Sequence, residues 1–367
     1  MRATGPESTS RYAGWPPTLA RIALFALVAL IGYGLLLDTE PPDREAAASS
    51  DRSARKGDVA LYSAIVKRLQ AGEGFYAATA EEQQQRGYPT KPFVTWRLPT
   101  TALTISALGE TQAANLLRLL ALCSVLAWLV ALKNIGRSPP ELVMGGLFLS
   151  LGLALTLIAA WAVYMHEFWA ATLIALSLAL HQRQWLLSVL FGLAALAFRE
   201  LAVIYVLVMF GYALREQRWS ELACWAAGLL LFAVGLALHA YVVGTWIGPD
   251  AREGGGWLAL GGWAFVLAAS QEWNVWTYLV GAWITAFWLP LALVGAGSLN
   301  NPLGNRLLLT IAGYSLSFLF VGRDNNTYWG IIDTPLIAVS IAFVPSGLDA
   351  LWHAARRASP GQPMTAR

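Results

Sequence analysis

The chain alternates long apolar runs with short polar breaks, and the stretch that departs most from this is KGDVALYSAIVKRLQAGEGFY, Lys56 to Tyr76. A helix crossing a hydrocarbon core of about 30 Å needs about 20 mostly apolar residues. A hydropathy window of about 19 residues picks out the candidate spans. They run from Ile22 to Leu37, Ala113 to Leu132, Leu142 to Ala160, Phe168 to Leu180, Leu186 to Leu196, Leu201 to Leu214, Leu222 to Val243, Val275 to Gly297, Leu307 to Val321 and Pro335 to Leu351. The pattern predicts an all-α polytopic membrane protein with about ten spanning or partly spanning helices, a single membrane domain over residues 1–367. Leu186 to Leu196 and Leu201 to Leu214 are each too short to cross and read as a hairpin whose tip, Phe198-Arg199-Glu200, stops inside the outer half of the membrane.

Alternate threading places Lys133 and Arg137, Arg183, Arg215 and Arg218, Arg306, and Arg356 and Arg357 on one face, as basic residues are placed on the cytoplasmic side. The opposite connections carry His166 and Glu167, Arg199 and Glu200, Asp250 and Glu253, and Arg323, Asp324 and Asp333. Both termini are then cytoplasmic, and the first span reads as a retained anchor of a multi-pass protein of the cytoplasmic membrane, since no small-residue cleavage site follows it. Residues 38–109 form the first periplasmic loop and 244–273 the second, whose segment Gly254 to Ser270 is apolar but too short to span and reads as a helix resting in, or partly entering, the outer interface.

Composition narrows the class. Hydrophobic residues make up 57% of the chain and charged ones 13%, which excludes an ordinary soluble domain, and nothing in the charge distribution points to nucleic acid. The many Trp and Tyr suit the headgroup level of a bilayer. Cys123 and Cys224 sit in apolar runs without metal-ligand spacing and read as free, small core residues.

Within the first loop, PPDREAAASSDRSARKG is a polar linker without apolar period. The helix after it puts Tyr62, Ile65, Val66 and Leu69 on one face, with Gly72 placed to close it. It is expected to lie on the membrane surface with Asp58 at its N-cap, either as a cap alone or as a carboxylate presented for chemistry.

The order Gly57-Asp58-x3-Tyr62, amphipathic helix, Gly72-x-Gly74-x-Tyr76, Gly87-x-Pro89 and Arg97-x-Pro99 resembles the first extracytoplasmic loop of the GT-C superfamily of integral-membrane glycosyltransferases. Met165-His166-Glu167-Phe168-Trp169-Ala170, Phe198-Arg199-Glu200 and Asn326-Thr327-Tyr328-Trp329-Gly330 through Pro335 are similar to later pieces of that family. The resemblance implies transfer of a sugar from a polyprenyl phosphate or diphosphate donor at the outer membrane face. It also implies that Asp58 acts as general base or as ligand of a divalent metal. The paired acidic Asp-Glu of protein mannosyltransferases is missing from the loop, which directs the expectation to a lipid, glycan or polyol acceptor.

Such chemistry needs a base for the nucleophile and positive charge where the leaving phosphate gains charge. Arg199 and Arg323 are the candidate phosphate ligands, because a planar guanidinium binds phosphate through two hydrogen bonds. Arg199 and Glu200 could equally neutralise one another, and Arg323 could anchor at the interface. Glu167 is either a second catalytic carboxylate, with or without a metal, or a first-turn carboxylate favoured by the helix dipole. Tyr62, Arg97, His166, Glu200, Asn326 and Tyr328 are supporting candidates, His166 also as a headgroup contact. The alternative function is a transporter or flippase of a lipid-linked sugar, since buried charges in many spans also suit that class.

Overall fold

Every residue from His166 to Ala179 is buried, and the rest of the bundle is arranged around this one helix. The computed structural model describes residues 10–37, 44–248, 251–272 apart from 257 and 259, 275, 280–322 and 324–357. In chain order the helices are α1 (Pro17–Leu36), α2 (Arg44–Gln70), α3 (Phe75–Gln85), α4 (Thr100–Leu108), α5 (Glu110–Asn134), α6 (Pro139–Gly152), α7 (Ala154–Ile158), α8 (His166–Leu180), α9 (Trp185–Phe198), α10 (Val203–Arg215), α11 (Trp219–Trp246), α12 (Gly262–Glu272), α13 (Thr285–Ser298), α14 (Pro302–Phe320), α15 (Thr334–Ser340) and α16 (Val344–Arg356). Among the described residues there is no strand, only isolated bridges such as Lys91 with Glu253.

The chain is an all-α, multi-pass membrane protein. Among the described residues, five segments are long and apolar enough to cross a membrane: α1, α5, α11, α14, and α15 with α16 taken together; α8, α9 and α13 are apolar but shorter. Local chemistry sets several ends. Ser138 and Glu141 form a capping box in front of α6. Asn301 accepts from the Gly304 amide at 2.9 Å with Pro302 as first helical residue of α14.

Where the apolar pattern implied unbroken spans, two are interrupted. The run from Leu142 to Ala160 divides into α6 and α7, followed by a 3-10 turn over Ala160–Tyr164. The run from Pro335 to Leu351 divides at a 3-10 turn, Ile341–Phe343, just before Pro345, which lacks the amide that would continue the ladder. At α6, Gly152 lies so close to α15 that an added Cβ would come within 2.7 Å of Ala338.

The apolar core binds α8 to its neighbours. Trp128 of α5 donates to the Ala175 carbonyl at 2.9 Å, and Ser124 to that of Thr172 at 3.1 Å. Polar groups gather toward the helix ends. At one end Arg183 reaches Asn134 at 2.8 Å, Arg306 pairs with Glu216 at 2.8 Å, Ser346 bonds Glu141 at 3.1 Å, and Glu221 holds both Arg218 and His181 at 2.9 and 2.8 Å. These are the breaks that the threading assigned to a single face. Arg21 donates to the Ala355 carbonyl at 2.8 Å, so the ends of α1 and α16 meet there too.

At the other end the two long connections dock on each other. The Thr90 and Lys91 amides donate to the Arg252 carbonyl at 3.0 and 3.1 Å, and Arg252 Nη1 donates to the Gly87 carbonyl at 3.0 Å. Of the segment expected in the outer interface, the part from Gly262 onward is helical and packs one face into the bundle. Phe265, Val266, Leu267 and Ala269 of α12 are all buried, and Gly330 approaches so closely that an added Cβ would lie 2.1 Å from the Ala269 carbonyl oxygen. Cys123 and Cys224 are free, but Cys123 is exposed on the outer surface of α5 rather than in the core.

Candidate functional site

The loop helix α2 presents Leu61, Ile65 and Val66 to the bundle, close to the face read from the periodicity, and it packs on α3 and α4. Gly72, with φ of +95°, closes it: its amide donates to the Leu69 carbonyl at 3.0 Å and the Glu73 amide to that of Arg68 at 3.1 Å. Its start differs from the expectation. The helix begins at Arg44, so Asp58 lies in its interior and is not an N-cap. The capping role is therefore removed, and the carboxylate has another partner. Tyr88 donates its hydroxyl to Asp58 Oδ1 at 2.7 Å. Gly57 makes room for this, since a Cβ there would come within 2.9 Å of the Tyr88 hydroxyl. Burial pushes the Asp58 carboxyl above its usual range, opposed by the Tyr88 hydrogen bond and by the charge of Arg97.

Arg97 is the centre of the arrangement. Its Nε donates to the Tyr62 hydroxyl at 3.3 Å, its Nη2 to the Tyr328 hydroxyl at 2.6 Å, and its Nη1 lies 3.8 Å from Glu200 Oε1. One guanidinium thus joins α2, the hairpin tip and the 3-10 turn Asp324–Ile332. Three separate nitrogens serve three partners, a task that a lysine ammonium cannot copy.

Below it lies Arg199, extended at the hairpin tip between α9 and α10, with a fully buried side chain. It pairs with Glu200 and with Glu167 in the first turn of α8, where Arg199 Nε approaches Glu167 Oε1 to 2.7 Å at an angle unfavourable for a hydrogen bond. The guanidinium also lies 5.9 Å from the Trp329 ring centroid. With two carboxylates engaged and no exposure, Arg199 is an internal counter-ion in this arrangement. The partly open cation of the site is Arg97, which the sequence marked only as support.

The site is recessed. The 15 residues of α8 rise about 22 Å, short of a hydrocarbon core of about 30 Å. With its C-terminal end at the His181–Glu221 layer, its head at His166 and Glu167 lies at the other end of the bundle, buried against the loop helices. The loop helices cover this depression. Tyr76 bonds His239 of α11 at 3.0 Å, and His239 reaches the Trp96 carbonyl at 3.3 Å.

Asp58, Tyr62, Arg97, His166, Glu167, Arg199, Glu200 and Tyr328 therefore fall in one connected cluster. His166 stacks edge-on to Tyr62, with ring centroids 4.9 Å apart, and is buried, so it does not face headgroups. Asn326 sits in the same 3-10 turn as Tyr328. Arg323 and Asp250 lie outside the described residues. Glu167 faces Arg199 and Asp58 faces Tyr88, and among the described residues no three His, Cys, Asp or Glu side chains converge. Sequence reasoning missed Tyr88 and the part played by Gly57, although both lie within the quoted loop motifs.

A scan against protein-family models, a search of curated proteins and a search of solved structures gave no match for this chain.

Proposed function

We propose that the chain is a membrane glycosyltransferase of GT-C type, with about ten spanning or partly spanning helices. It moves a sugar from a polyprenyl phosphate or diphosphate to a lipid, glycan or polyol acceptor at the outer face of the cytoplasmic membrane. The observation that supports this reading is a buried, hydrogen-bonded carboxylate, Asp58, within electrostatic reach of the partly open guanidinium of Arg97.

In the reaction Asp58 takes the proton of the acceptor hydroxyl while that oxygen forms a bond to the anomeric carbon. The bond from that carbon to the phosphate oxygen breaks, and the phosphate leaves with the electron pair. Arg97 stabilises the charge that develops there, and Tyr62 and Tyr328 hold it in place. A base whose carboxyl is raised by burial is closer to the working pH, where general-base catalysis is most effective. Low dielectric around the recessed cluster strengthens these electrostatic terms.

Asp58→Asn tests this directly. Asn still accepts from Tyr88 and is similar to Asp in helix propensity, so folding should be retained. The base is lost, and transfer from a polyprenyl-phosphate sugar in a reconstituted assay should fall roughly 10² to 10⁴-fold. Turnover within threefold of the parent would rule out the proton-accepting role. Orientation is tested separately, in a chain lacking Cys123 and Cys224. A cysteine at Gly255 should react with an impermeant thiol reagent in intact cells and one at Ser138 should not; the reverse pattern would invert the site.

A further inference from the structure

Tyr88 is held beside Asp58 by two segments far apart in the sequence. On the amide side the last turn of α3 carries it: the Gly87 amide donates to the Gln84 carbonyl at 3.1 Å and the Tyr88 amide to that of Gln83 at 2.9 Å. Pro89 follows and has no amide to offer. On the carbonyl side the partner is Arg252, 165 positions from Gly87. Its Nη1 donates to the Gly87 carbonyl at 3.0 Å, and its own carbonyl accepts from the Thr90 and Lys91 amides at 3.0 and 3.1 Å. One residue of the second long connection thus grips the chain immediately before Tyr88 and again just after Pro89.

The residues around this grip are shaped for it. Gly87 has φ of +71°, and a Cβ there would come within 2.6 Å of Arg252 Nη1, so glycine both permits the turn and leaves the guanidinium its place. Gly254 seats the second connection against the same turn: its amide donates to the Lys91 carbonyl at 2.6 Å, and an added Cβ would lie 3.4 Å from Pro89 Cβ. Trp96 Nε1 fixes the far side by donating to the Thr90 carbonyl at 3.1 Å. What depends on this frame is a short bond, Tyr88 hydroxyl to Asp58 Oδ1 at 2.7 Å, and such bonds weaken steeply once the angle departs from its optimum. The Arg252 side chain is exposed, so its removal should leave folding intact.

We propose that Arg252 is a positioning residue for Asp58: by clamping the turn on both sides of Tyr88, it keeps the Tyr88 hydroxyl on the carboxylate. It acts through Tyr88 and not on the carboxylate itself. The other charged and titratable groups around the pair are Tyr62, Arg97, Tyr328 and, beside Tyr88, Arg86. Arg97 is held by Tyr62, Tyr328 and Glu200, and Arg86 by Glu82, so loss of the Arg252 side chain leaves these groups in place and loosens Tyr88. A looser Tyr88 favours the charged carboxylate less, and the Asp58 carboxyl rises. The proposal rests on the transferase reading only for calling Asp58 a base, and not for the link from Arg252 through Tyr88 to Asp58.

Full-length protein in nanodiscs, with a fluorinated tyrosine in place of Tyr88, reports this link without an activity assay. The fluorine NMR shift followed against pH should show an inflection that disappears in Asp58→Asn. Arg252→Ala should move that inflection up by about half a pH unit, and Arg252→Lys, which can still donate to the Gly87 carbonyl, by less. In chains without fluorine, the acid limb of the pH–rate profile should move by the same amount in Arg252→Ala, roughly a threefold lower rate on that limb. Arg252→Ala added to Tyr88→Phe should bring no further shift, because the hydroxyl it positions is gone. An inflection indifferent to Arg252→Ala, or one absent from the parent, would overturn the proposal. So would an Arg252→Ala shift that persists at full size in the Tyr88→Phe chain, which would make Arg252 a distant charge acting on the carboxylate directly. Full turnover of Asp58→Asn would sink the transferase base, and the fluorine titration would still decide whether Arg252 holds Tyr88 on Asp58.

Discussion

Replacing Arg199 by Met should destabilise the protein far more than an exposed arginine would, because the guanidinium is enclosed and holds two carboxylates. Its side chain is 0% exposed; Nε faces Glu167, itself buried, and Nη1 faces Glu200. Met fills a similar volume, so the cost is electrostatic. Glu167 would keep only the more distant charge of Arg97, and Glu200 would keep only Arg97 at 3.8 Å. Breaking a buried pair by removing one member costs about 3–5 kcal/mol. At a few degrees per kcal/mol, this is a fall in Tm on the order of 10 °C. Unfolding followed by the fluorescence of the protein's 17 Trp in one fixed detergent would measure it. Arg199→Lys should recover part of the loss, since one ammonium can serve Glu167 or Glu200 but not both at the same distances. Adding Glu167→Gln to Arg199→Met should recover more, because the orphaned charge is then gone. The reasoning fails if Arg199→Met melts within a degree or two of the parent, or if the double variant is no better than Arg199→Met. Either result would mean that the carboxylates are satisfied without this arginine.

Two further substitutions probe the upper part of the cluster. Arg97→Lys keeps the charge but can serve only one of Tyr62, Tyr328 and Glu200 well; with hydrogen bonds to a charged group at about 1.5–3 kcal/mol, transfer should drop roughly 10 to 100-fold with the fold intact, and unchanged turnover would dismiss Arg97 as the phosphate-side cation. Tyr88→Phe removes a bond that favours the charged Asp58. The carboxyl then rises further, and because the base acts deprotonated, the acid limb of the pH–rate profile should move toward neutral pH; at a pH on that limb the rate should be about tenfold lower, and an unmoved limb would mean that Asp58 is not the titrating group.

The parts of this architecture set by local periodicity were readable from residues alone. The buried face of α2, the closing Gly72 and the hairpin tip at Arg199 all follow from spacing and glycine chemistry. The start of α2 was not readable in that way. Its first turns have no apolar face, and a search for amphipathic period takes such a run for a linker, although Arg44 to Gln70 contains no proline and carries Ala46, Ala47 and Ala48, good helix formers. The burial of α12 was hidden for a different reason. An apolar helix of 11 residues suits an interface or a core equally, and what decides is the space left by Gly330 and Gly322, distant in sequence. Tyr88 escaped notice because a tyrosine between Gly87 and Pro89 looks like turn chemistry; only the fold brings it 30 positions back to Asp58.

The division of charge in the cluster explains why its chemistry belongs to the loop. Three carboxylates, Asp58, Glu167 and Glu200, meet two guanidiniums, Arg97 and Arg199. Glu167, Arg199 and Glu200 come from the head of α8 and the hairpin tip, and they satisfy one another deep in the bundle, where an uncompensated charge is most costly. That arrangement is enclosed, the Arg199 and Glu167 side chains being 0% and 2% exposed. The less enclosed groups are Asp58, whose carboxylate has one hydrogen bond, and Arg97, which is partly open. Both lie between the first two long helices that can cross the membrane, in the loop whose helices pack on the head of α8. A floor of paired charges fixed by the spans also sets the field in which the loop carboxylate titrates.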